Sequence, residues 1–71
     1  MYTDFPDWKK MLILQERSIK DAIQMIESNF IKMLIVVNDQ AQLVGTLTDG
    51  DIRRGLINNI KIDSTISLVM C

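Results

Sequence analysis

Leu43-Val44-Gly45-Thr46-Leu47-Thr48-Asp49-Gly50-Asp51-Ile52-Arg53-Arg54 runs from an apolar strand into an acidic helix start. The strand ends on a hydroxyl, Thr48, and a carboxylate, Asp51, stands just inside the helix. Asp49 is placed to cap that helix, which should run to about Asn59 with Ile52 and Leu56 on its inner face. A helix start presents unpaired N–H groups and a positive dipole end, so it suits a phosphate, and the Thr48 hydroxyl adds a donor. A carboxylate accepts hydrogen bonds from two adjacent hydroxyls, which fits Asp51 to the 2′ and 3′ oxygens of a ribose. A plainer reading makes Asp49 and Asp51 capping acids only, each favoured by roughly 0.3 to 1 kcal/mol through the helix dipole. Thr48 can likewise close the strand by a local hydrogen bond, and Arg53 and Arg54 read as solvated cations. The residues argue against a calcium loop beginning at Asp49, because Ile52, Arg53 and Arg54 fall where oxygen ligands and small turns are needed.

Upstream, Met33 to Val37 is a continuous apolar run bounded by Asn38-Asp39, the pattern of a strand buried on both faces. With Leu43 to Thr48 it should form a hairpin. Ser18 followed by Asp21 reads as a helix N-cap, and Ile19, Ala22, Ile23, Ile26 and Phe30 recur at helical spacing. Met25 lies about 120° off that stripe, and Ile57 about 140° from Ile52, so both should face water or a partner. Met11 to Leu14 suits a short strand. Met1 to Asp7 is a polar lead-in in which Pro6 biases Phe5 toward an extended backbone. The tail, Ile60 to Met70, reads as an extended linker. The order is strand, helix, strand, strand, helix, an α/β unit with no internal repeat.

Seventy-one residues form one small domain, which buries only about 60% of its unfolded surface. Yet 48% of the residues are hydrophobic, which implies a second apolar surface meeting a partner, with Met25 and Ile57 as its candidates. The net charge of −1, without a basic stripe, argues against nucleic acid as a partner. No apolar run is long enough to span a membrane, and Asp4 and Asp7 break the layout of a secretory signal, so the expected location is cytoplasmic. The single cysteine, Cys71, forms no intrachain disulfide or metal cluster. Histidine is absent, and no nucleophile is paired with a base, so no catalytic residues, required cofactor or metal site are expected.

The segment Gly45 to Asp51 resembles the ribose-phosphate signature of the CBS domain family: glycine, two apolar residues, Ser or Thr, two variable residues, then Asp. Thr46 is its weakest match. Ser18-Ile19-Lys20-Asp21-Ala22 is similar to the family's first-helix entry, Ile35 to Asp39 to its central strand and turn, and Val69-Met70 to its exit. The resemblance implies a β-α-β-β-α unit, with a small three-stranded sheet and two helices on one face, over residues 10–60. Residues 1–9 would be a lead-in arm and 61–71 a linker toward a second CBS unit, met in cis or through homodimerisation. It further implies a regulatory cleft for AMP, ADP or ATP, in which Thr48 contacts phosphate and Asp51 ribose. Gly45 and Leu47 belong to the same signature, Ile13 would line the base pocket, and Lys32 would reach a phosphate from the far side. The run Thr48 to Arg54 looks like CBS segments attached to sugar-nucleotide transferases and sugar-phosphate isomerases. The sequence departs from the family at the central strand, which lacks the frequent proline, and at the turn Asp39-Gln40-Ala41-Gln42, which lacks glycine. The alternative is a dimerisation scaffold whose cleft stays empty.

Overall fold

A computed structural model describes residues 8–71, and they follow the expected order of elements. The lead-in from Met1 to Asp7 lies outside the described residues. A 3-10 turn, Trp8–Met11, leads into β1, Leu12–Leu14, so the first strand starts one residue later than expected. Helix α1 spans Ile19–Asn29, β2 Met33–Val37, β3 Leu43–Thr48 and α2 Asp49–Ile57. The sheet order is β1-β2-β3, with β1 parallel and β3 antiparallel to β2.

Side chains alternate across a strand, and the register turns that alternation into two different faces. Ile13 pairs with Val36 and Leu47 with Leu34, which sets these four on one face, and all are buried. They join Ile19 and Ala22 of α1, Ile52 of α2 and Ile66 in one core, so both helices cover the same side of the sheet. The opposite side carries Leu12, Leu14, Met33, Ile35, Val37, Val44, Thr46 and Thr48. Met33 there is 38% exposed and Leu14 41%. The expectation that β2 is buried on both faces therefore holds only toward its end: on this second face Met33 is exposed, Ile35 half-buried and Val37 buried, and among the described residues no helix packs there.

The hairpin turn works without glycine. Asn38 accepts hydrogen bonds from the Gln40 and Gln42 N–H groups at 2.9 and 3.0 Å, and Ala41 takes the left-handed conformation, φ 61°. A side-chain cap thus fixes a turn that the backbone alone disfavours.

Three expectations about apolar residues change. Phe30 is not part of the α1 stripe: the helix stops at Asn29, Phe30 turns left-handed at φ 55°, and its ring is 94% exposed. Met25 does not face water but packs half-buried against the core, where its flexible thioether reaches round the helix. Leu56 is 39% exposed, because the buried face of α2 runs through Asp51, Ile52 and Gly55.

The tail is the largest departure. It is not extended: α2 ends in a left-handed Asn59, with Asn59 N–H bonded to Leu56 O and Ile60 N–H to Gly55 O, and the chain turns back. Ser64 O and Ile62 O accept from the Ile19 and Lys20 N–H groups, both at 2.9 Å, and Arg17 O accepts from Ile66 N–H. These carbonyls satisfy donors that a helix start otherwise leaves open. A second 3-10 turn, Ile66–Leu68, sets Ile66 fully buried in the core, a gain of roughly 1.5 to 3 kcal/mol.

Candidate functional site

The junction between β3 and α2 forms because a hydroxyl and an acid stand three residues apart at a helix start. Thr48, rather than the expected Asp49, is the N-cap: its hydroxyl accepts from Asp51 N–H at 3.2 Å. Asp51 Oδ2 in turn accepts from Thr48 N–H at 2.9 Å, completing a capping box. Asp49 instead faces outward and pairs with Arg53.

The Asp51 carboxylate is enclosed. The residue is 6% exposed, and its Oδ1 accepts from Arg54 Nη2 at 2.5 Å and from the Cys71 thiol at 3.3 Å. Burial pushes its pKa up, but the Thr48 N–H, the Thr48 side chain, the Cys71 thiol and the Arg54 guanidinium outweigh burial and hold it below the ordinary value. Asp51 therefore stays ionised, an acceptor for any hydroxyl that reaches it. The hydrogen bond to Asp51, with the negative charge behind it, raises the Cys71 pKa.

Beside this carboxylate lies a cavity of about 230 Å³ lined by Asp51, Arg54, Gly55, Asn58, Ile60, Leu68 and Val69. The contribution of α2 and its C-cap follows helical spacing from Asp51, with Arg54 and Gly55 one turn on and Asn58 two turns on, along a single face. Arg54, read from sequence as a solvated cation, thus belongs to the site, and its three-residue spacing from Asp51 was the available signal. Nothing in the sequence tied Cys71 to it.

The other sequence candidates divide. Thr48 is half-buried at the mouth of the junction. Lys32 is exposed just before β2, and since Met33 pairs with Thr48, it sits at the same end of the sheet. Gly45 is half-buried in β3, where a Cβ would collide with the Cys71 carbonyl oxygen. Leu47 and Ile13 are core residues, at 0% and 4% exposure on the helix side of the sheet. Both side chains pack into the core, and neither lines the cavity beside Asp51. Of the two interface candidates, Ile57 is 71% exposed, whereas Met25 is packed. Among the described residues no cluster of acids and cysteine could hold a metal, and no helix is long and apolar enough to cross a membrane.

The family model of the CBS domain matches residues 9–58. This chain belongs to the CBS domain family. It is 38% identical over 55 residues to an uncharacterized protein of Helicobacter pylori, a match covering 78% of the chain and 17% of the relative. The chain thus spans about a sixth of the curated relatives it matches. Among solved structures, the CBS domain pair of protein MJ0100, in complex with 5′-methylthioadenosine and S-adenosyl-L-methionine, is 28% identical. That match has a TM-score of 0.75 and covers 86% of this chain and 47% of that one. A CBS domain protein of Pyrobaculum aerophilum complexed with AMP shares the fold at TM-score 0.78 and 10% identity, over 93% of this chain and 56% of its own. A CBS-domain-containing protein of Agrobacterium tumefaciens does so at TM-score 0.81 and 16% identity, covering 86% and 47%.

Proposed function

We propose that this CBS unit is a regulatory module that binds an adenine nucleotide together with a second CBS unit, and that it controls an attached sugar nucleotidyltransferase rather than catalysing a reaction itself. The observation that carries the nucleotide reading is the ionised Asp51 joined through a capping box to Thr48. This arrangement offers a carboxylate to a ribose diol and a hydroxyl with a helix start to a phosphate. Lys32, at the same end of the sheet, adds a cation for that phosphate. Similar CBS structures that hold AMP, or methylthioadenosine and S-adenosylmethionine, support the adenine class. Pairing is supported by the apolar side chains exposed on the second sheet face, Leu14, Met33 and Val44, and by matches that span about half of each solved chain. The transferase rests on the resemblance of Thr48 to Arg54 alone.

Thermal melting of the protein with AMP, ADP and ATP at millimolar concentration tests this. One of the three should raise the midpoint, since a ligand at 100 times its Kd adds about 2.7 kcal/mol. A midpoint unmoved by all three rejects nucleotide sensing. The enclosure of Asp51 favours a second reading, a pairing scaffold with an empty cleft, and a monomeric hydrodynamic size at tens of micromolar would count against that scaffold.

A further inference from the structure

Val69–Cys71 crosses the site on a path cleared by two glycines. A Cβ at Gly55 would collide with Val69 Cγ1, and one at Gly45 with the Cys71 carbonyl oxygen. The chain has three glycines, so two of them leave room for this one segment. It is held at both ends. Val69 and Met70 N–H groups bond to the carbonyl of the buried Ile66, both at 3.0 Å, and Cys71 exchanges two backbone hydrogen bonds with Thr46 at the free edge of β3, at 2.9 and 3.2 Å. Between these anchors, Val69 walls the cavity beside Asp51 and the Cys71 thiol closes on the carboxylate.

We propose that Val69–Cys71 is a strap that competes with ligand for Asp51, so that ligand occupancy changes the course of the chain at Cys71. The proposal rests on the nucleotide reading above. Of the partners holding Asp51, the Thr48 N–H is part of the helix cap and Arg54 is a charged donor, whereas a thiol is a weak one. A ribose hydroxyl arriving through the cavity therefore replaces the thiol first, exchanging a weak donor for a strong one. Because Val69 and Cys71 lie on one short segment, that exchange loosens the Thr46 pairing. Binding is thereby converted into movement of the strap along the edge of β3.

Cys71 is the only thiol, so its rate of reaction with a disulfide reagent reads the strap directly. AMP should raise that rate several-fold in the full chain. Gly55→Ala, which drives a methyl group into Val69, should raise it without AMP and should also tighten AMP binding. Cys71→Ala removes the thiol contact without disturbing the packing, and it too should bind AMP more tightly, which keeps the test decisive if Gly55→Ala does not fold. AMP that raises the melting midpoint while leaving thiol reactivity unchanged overturns the strap and spares the nucleotide reading. AMP that binds neither the parent nor either variant overturns both.

Discussion

The two helices begin with the same local grammar and end in different environments. Ser18 caps α1 three residues before Asp21, and Thr48 caps α2 three residues before Asp51. In α1 the acid turns outward to Arg17 at 2.9 Å, and its side chain is 35% exposed. In α2 the acid folds back onto the cap N–H and is 5% exposed. The tail makes the difference. At α1 its carbonyls take the first-turn N–H groups, so that helix start is closed to any anion. At α2 its last residue covers the acid with a thiol, a contact that can be exchanged. A shared capping motif therefore sets local geometry, and a distant segment decides which copy can serve as a site.

The strongest way to break this contrast is to release the tail at its anchor. Ile66→Ala should cost about 2 to 5 kcal/mol, the range for truncating a fully buried aliphatic side chain to alanine. That is a large part of the roughly 4 to 10 kcal/mol available to a chain of this length. Amide exchange should then rise first at Ile19 and Lys20, whose acceptors lie in the tail. A loss below about 1 kcal/mol would show that the tail does not seal α1, since a closed site cannot collapse around so large a deletion.

The contrast is next sharpened by removing each acid. Asp51→Ala leaves the Thr48 N–H without its acceptor and should cost about 1 to 3 kcal/mol by chemical denaturation. Asp21→Ala should barely shift the midpoint, because its pair with Arg17 is exposed. The pH dependence has a fixed sign. The folded pKa of Asp51 lies below its ordinary value of 3.8, so its contribution is present above that value and fades as pH falls through the lowered one. Asp51→Ala and the parent should converge in acid. Equal losses for the two acids at neutral pH would reject the distinction between the helix starts.

How far the sequence disclosed this arrangement follows from where each signal lies. The order of elements, the Ser18 cap and the Thr48-to-Asp51 junction are local, and three or four residues suffice to read them. The enclosure of Asp51 is not local, since it depends on Cys71, twenty positions away. The packing of Ile66 was hidden for a related reason: the loose alternation after Ile60 fits a linker, and only the carbonyls it offers to α1 make it part of the core. Phe30 misled because a helical stripe does not mark its own end. The exposure of Met33 was missed because a continuous apolar run such as Met33–Val37 looks the same whether its second side is covered along its whole length or only toward Val37.

The smallest expected effect separates the two helices at their other ends. Both stop at a left-handed residue, Phe30 at φ 55° after α1 and Asn59 at φ 71° after α2. Asparagine tolerates that conformation, while a bulky side chain carries a penalty of about 1 to 2 kcal/mol. Since the Phe30 ring is 94% exposed, replacing it sacrifices little burial. Phe30→Gly should therefore raise stability by about 1 kcal/mol, after the extra freedom of glycine in the unfolded chain is subtracted. In a domain of this size that corresponds to a rise in Tm of about 4 to 8 °C. Asn59→Gly should yield less, because its strain is smaller at the outset. If Phe30→Gly instead lowered Tm, the ring would have to be covering apolar surface in solution, and the end of α1 would be a packed feature rather than a strained one.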